Sequence, residues 1–175
     1  MMKSFKKYIW LVLVLTLGAC STIKSTNLVG DYALKLNPDE WNGTWVIGED
    51  TYQINVINQD FGIMESVSIK DGKTQKYKMF ATQGGDDKYI NLVNADKSFS
   101  FVKFKREKNS ATAWMPSKEM FKKAIENHKI AGEVDEGGNI LITASGKAFS
   151  EFIKTNPELM MFEHESPSIF KRVAE

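Results

Sequence analysis

The chain has 175 residues, 23 basic against 22 acidic side chains, 42% hydrophobic residues and one cysteine. That length suits a single domain able to bury its own core. The near-neutral balance excludes the basic excess of a nucleic-acid binder, and a lone cysteine excludes an internal disulfide.

Lys3, Lys6 and Lys7 precede an apolar run from Ile9 to Leu17 that only Thr16 interrupts, and the first acidic residue is Asp31. A charged segment followed by a short apolar run is the layout of a secretory signal, whereas a membrane-spanning helix needs about 20 apolar residues. The run ends in Leu17-Gly18-Ala19-Cys20, which resembles the lipobox of bacterial lipoproteins. That resemblance implies cleavage before Cys20, a thioether from its sulfur to diacylglycerol, and a fatty acyl group such as palmitate on the freed amine. More than one chain matters, because each buried methylene contributes about 0.8 kcal/mol and a single chain anchors only reversibly. Ser21, where an aspartate would retain some lipoproteins at the inner membrane, implies an outer-membrane location in the cell envelope.

Cleavage removes three lysines and no acid, leaving a mature chain with a small acidic excess. The expected organisation is a signal at 1–19, a flexible tether at 20–27 and one globular domain at 28–175.

From Leu28 onward, turn signals at Gly48 to Asp50, Asn58 to Gly62, Asp71-Gly72, Gly84 to Asp87, Asn94 to Lys97 and Lys108-Asn109 punctuate short segments. Within these, Tyr52, Ile54 and Val56 alternate with polar residues, as do Tyr77, Met79 and Ala81 with Lys78 and Phe80. This is the period of a strand with one buried face. Phe99, Phe101, Val102 and Phe104 break alternation, which predicts either a bulge or burial on both faces.

In the last third, Ser117 precedes Met120, Phe121, Ala124 and Ile125 at helical spacing, which predicts a capped amphipathic helix. A strand is expected at Ile140 to Thr143, a second helix around Ala148 to Ile153 ending before Pro157, and a final strand at Ile169 to Val173. The fold class is mainly β (α+β): an antiparallel meander of about eight strands forming a barrel or a curved sheet, with two short helices in the C-terminal third.

The stretch Trp41-Asn42-Gly43-Thr44-Trp45 carries a G-x-W pattern similar to that on the first barrel strand of lipocalins and related calycins. In that family a late arginine packs over the signature tryptophan, so the resemblance implies a structural pair of Trp45 and Arg172. The chain departs from the family by an apparent strand at Val29 to Leu34 before the motif and by an additional helix near its end. The layout as a whole also resembles small uncharacterised bacterial envelope lipoproteins, which brings no activity with it.

No catalytic or metal-ligating pattern emerges. His128 and His164 are far apart in sequence. Glu163, His164 and Glu165 alternate faces if extended, and His128, at a helix end, suits an interaction with the last carbonyls. Ser100 and Lys103 fit S-x-x-K in a segment read as strand, where the two side chains cannot share a face as on a helix. Glu65 shares parity with Ile63, Val67 and Ile69; were that face inward, its carboxylate would enter the interior with a raised pKa.

The function this supports is a non-enzymatic, membrane-anchored binding module for a small apolar ligand or another envelope protein, with no cofactor, metal or nucleic acid. A void of roughly several hundred Å³ lined by Trp45, Tyr52, Phe101 and Trp114, with Glu65 as a polar contact, would mark ligand carriage. The alternative is a carboxylate-dependent hydrolase, which requires two acids converging in a cleft at about 5 to 9 Å.

Overall fold

A computed structural model describes residues 23–70 and 73–173. Cys20 and the lipobox lie outside the described residues. In chain order the elements are β1 (Ile23–Ser25), β2 (Tyr32–Ala33), α1 (Pro38–Trp41), β3 (Gly43–Ile47), β4 (Asp50–Asn58), β5 (Ile63–Lys70) and β6 (Lys73–Gly84). They continue as β7 (Asp87–Val93), β8 (Phe99–Glu107), β9 (Ser110–Trp114), α2 (Lys118–Glu126), β10 (Gly132–Val134), β11 (Ile140–Ile142), α3 (Gly146–Thr155) and β12 (Ser168–Arg172).

Strands β3 to β9 pair antiparallel with their sequence neighbours. β12 then returns between β9 and β3, placing Ser168 opposite Ala113 and Arg172 opposite Trp45. The ring is thereby a closed, eight-stranded antiparallel barrel. Closure removes the free edges that an open curved sheet would leave.

Two cores share the barrel wall. Inside are Trp45, Ile54, Met64, Ala81, Phe104, Ala111 and Ala113, with Leu36 and Trp41 from the preceding segment. The second lies outside, where α2, α3 and the β10–β11 hairpin cover β7 and β8. There Phe101 meets Phe121, Phe149 and Phe162 at ring-centroid distances of 5.9, 5.6 and 6.3 Å. Tyr89 is fully buried among the same rings. β8 therefore buries Phe101 outward and Val102 and Phe104 toward the barrel, so burial on both faces explains its broken alternation.

The residues expected to be tether are partly fold. Ile23–Ser25 pairs parallel with β11 and meets β8 at Phe99, and Ile23 and Ser25 are buried. The apolar Ile23 has a place in the outer core, which shortens any tether to the residues before it. The segment expected as a strand from Val29 to Leu34 pairs only at Tyr32–Ala33 with β6. Asn91 fixes its start: the side-chain oxygen accepts from Val29 N at 2.8 Å, and the amide nitrogen donates to Val29 O at 3.2 Å, Phe80 O at 3.3 Å and Thr82 Oγ1 at 2.9 Å.

Both helices form where expected. Ser145 caps α3, its hydroxyl accepting from Ala148 N at 3.2 Å, while Ser117 stands at the start of α2 without a side-chain cap bond. At the end of α2 the chain turns through a left-handed His128, whose backbone N–H donates to Ile125 O at 2.9 Å. Gly62 in the β4–β5 turn also has positive φ, and a Cβ there would collide with the carbonyl oxygens of Ala81 and Leu34. Only glycine fits that crossing.

Candidate functional site

Hydrogen bonds to α1 close one end of the barrel. At the closed end sits α1, a four-residue helix started by Asn37, whose side chain accepts from Asp39 N, with Pro38 at the first helical position. Two arginines hold it. Arg172 donates from Nη1 to Asp39 O at 2.8 Å and from Nη2 to Asn42 O at 2.7 Å. Arg106 donates from Nη2 to Glu40 O at 2.6 Å and from Nη1 to Ser110 O at 3.3 Å.

The Arg106 guanidinium also lies 5.0 Å from the ring centre of Trp45 and 5.5 Å from that of Trp41. These two rings stack at 5.8 Å, and Trp45 Nε1 donates to Trp41 O at 2.9 Å. Burial lowers the Arg106 pKa, and the Arg172 charge lowers it further against a counteracting contribution from Glu40. Both guanidiniums bond to carbonyls, and Arg106 also lies over aromatic faces, while its Nε is buried without a hydrogen-bond partner among the described residues.

Above this floor is a cavity of about 130 Å³. Its floor is Trp41, Trp45 and Phe104; its walls are chiefly Ile54, Met64, Met79, Ile90, Leu92, Val102, Met115 and Phe170, with hydroxyls from Ser100 and Ser168. The space exists because β9 presents only Ala111 and Ala113 to it. The volume falls below the several hundred Å³ of a drug-sized pocket, because the two indoles and Phe104 fill the lower barrel. An apolar void near 150 Å³ is enough for a six-carbon ring.

The candidate residues separate in space. Trp45 lines the cavity; Phe101 borders it, but its ring belongs to the outer core. Tyr52, in register with Trp45, is buried beside the lining, and burial, followed by the nearby Asp50 and Tyr77, raises its phenol pKa. Trp114 packs against the outer core with its ring 6.1 Å from that of His164. Glu65 lies on the outer wall, because Met64, Ser66 and Ser68 take the buried parity of β5. Its carboxylate stands 3.7 Å from Lys76 Nζ.

Trp45 and Arg172 are cross-strand neighbours, but the cation over the Trp45 ring is Arg106. Arg106, the lining methionines and the two alanines are not among the candidate site residues expected from the sequence. Arg106 keeps the parity of Val102 and Phe104, so extending that alternation by one step would have found it.

Compared with models of known protein families, with curated proteins and with solved structures, the chain has no significant match in any of the three.

Proposed function

We propose that the chain is a bacterial envelope lipoprotein, anchored through Cys20, whose barrel binds a small apolar ligand. The observation that supports ligand binding is the apolar cavity of about 130 Å³ above the Trp41–Trp45 floor. A barrel whose only task was stability would fill that space, since each lost methylene contact weakens a core. The anchor rests on the lipobox resemblance at Leu17 to Cys20, and the outer-membrane location on Ser21.

The experiment is native mass spectrometry of protein purified from its own envelope. Added mass beyond the lipid on Cys20, lost on denaturation, is the expected result. A bare protein whose melting temperature does not rise with saturating cyclohexane would overturn the reading, because binding to the folded state alone must stabilise it.

A second reading has its own observation. Ile57, near the end of β4, and Phe61, in the turn that follows it, are 63% and 65% exposed, and exposed large apolar residues on one hairpin suit a protein contact.

A further inference from the structure

Three residues of the cavity lining stand at strand ends. Ser168 opens β12, Met115 directly follows β9, and Ser100 is the second residue of β8. β8 and β9 pair antiparallel, as do β9 and β12, so all three ends lie on one side of the barrel. β12 finishes at the other side with Arg172, beneath which α1 is held. Ser100, Met115 and Ser168 therefore form the rim of the cavity away from the indole floor.

Residues 163–167 join this rim to the outer core. Before them Phe162, buried in the outer core, bridges to Pro116, and after them Ser168 pairs with Ala113. Glu163 N donates to Met115 O at 2.9 Å, so the segment is fixed to the rim at both ends. Between those ends it has slack, because the six steps from Phe162 to Ser168 face the three from Ala113 to Pro116. The surplus leaves the ladder as a loop in which Glu163, His164, Glu165 and Ser166 are exposed. Its middle meets the rest of the chain through His164, whose ring lies 6.1 Å from that of Trp114 at an angle of 48°. A segment so exposed opens at a lower free energy than the barrel beside it.

Resting on the reading of the barrel as a ligand carrier, we propose that residues 163–167 are a lid, held open by the ring of His164 on Trp114 and closing over the rim once the cavity is filled. The parity of β9 gives the direction. Ala113 and Met115 line the cavity, so Trp114 between them points to the other side of the wall, where it packs on the outer core. His164 is thus parked outside the rim. A six-step loop over a three-step gap can project about 8 Å from its ends, enough to cross the mouth of a void of about 130 Å³. A bound ligand gives the closed position apolar surface to cover, which offsets the one ring contact given up. Removing that contact should move the open–closed equilibrium about two- to ten-fold.

The test is methylcyclohexane titrated into the purified protein at one fixed pH, with tryptophan emission as readout. His164→Ala, at an exposed position, removes the contact that holds the lid open. It should bind the probe about two- to ten-fold more tightly, through slower dissociation in stopped flow. In the unsubstituted protein the ring protons of His164, displaced by the Trp114 ring in the free state, should move in NMR spectra to the positions of an unstacked histidine as the probe saturates the cavity. Unchanged or faster dissociation from His164→Ala overturns the inference, as does a His164 signal that stays displaced at saturation. If methylcyclohexane does not bind the unsubstituted protein at all, the ligand-carrier reading falls and the lid with it.

Discussion

Arg106 faces Trp45 across the closed end of the barrel, its guanidinium 5.0 Å from the ring centre, while its Nη2 holds the Glu40 carbonyl of α1. One side chain thus joins the floor of the cavity to the helix beneath it. A cation on an aromatic face contributes about 0.5 to 2 kcal/mol and a hydrogen bond from a charged donor about 1.5 to 3 kcal/mol. Arg106→Ala should lower unfolding free energy by about 2 to 4 kcal/mol in urea and change tryptophan emission in the folded baseline. Arg106→Lys should recover only part of the loss, because lysine lacks the planar fork.

Asn91→Ala should be as damaging at a site with no charge. The substitution leaves Val29 N–H without its acceptor and frees the start of the segment that lies along β6. An orphaned buried donor costs about 1 to 3 kcal/mol and the remaining lost bonds add to it. Chemical denaturation should show a loss of about 2 to 4 kcal/mol, and hydrogen exchange should show residues 29–33 opening before the barrel.

Alkaline pH should unfold the protein through its buried phenols. Burial raises the pKa of Tyr89 and of Tyr52; Asp87 adds to the first and Asp50 to the second. An unfolded chain releases these protons near pH 10 while the folded chain keeps them, so stability is full below about pH 10 and declines as pH rises beyond it. Absorbance at 295 nm should show two phenols that ionise only with unfolding. Tyr89→Phe should make the alkaline decline shallower, and an unchanged slope would contradict the assignment.

Filling the cavity should separate binding from stability. Ala113→Leu adds three carbons to a wall that borders about 130 Å³ of space. Unlike most insertions into a packed core, it should change stability by less than about 1 kcal/mol. Binding of methylcyclohexane should weaken at least ten-fold, measured by the rise in melting temperature that the probe produces.

Cys20→Ser tests the anchor. The variant should leave the membrane fraction or accumulate as unprocessed precursor, read by fractionation and intact mass. A processed, membrane-bound product of the variant would contradict it. Because Ile23 is already buried in the outer core, an anchor at Cys20 would leave residues 20–22 as its spacer, a span of about 10 Å at full extension.

The meander was legible because its turns carry glycine, asparagine and aspartate at regular intervals and its strands alternate, so β4 to β9 fall close to their expected places. α1 was not, since four residues carry no periodicity, although Asn37-Pro38-Asp39 is a helix start in miniature. β5 misled for an instructive reason. Assigning the inward face to Ile63 and Val67 follows the rule that apolar residues go inside, but the barrel buries Ser66 and Ser68. Glu65 therefore faces outward beside Lys76, and the inward position raised for it is not the one it takes. Phe101 was sound as a buried residue and ambiguous as to which core, because only the helices, far along the chain, decide that its side of β8 is covered.

The position of β12 also bears on how the molecule is made. Each strand from β3 to β9 can pair with the one before it as soon as both exist, but the seam joins Val46 to Lys171. So distant a contact is slow to form, and until it does, β3 and β9 each present an unpaired edge open to other chains. The last barrel strand, arriving after both helices, is thus what protects a nascent copy from its neighbours in a crowded compartment.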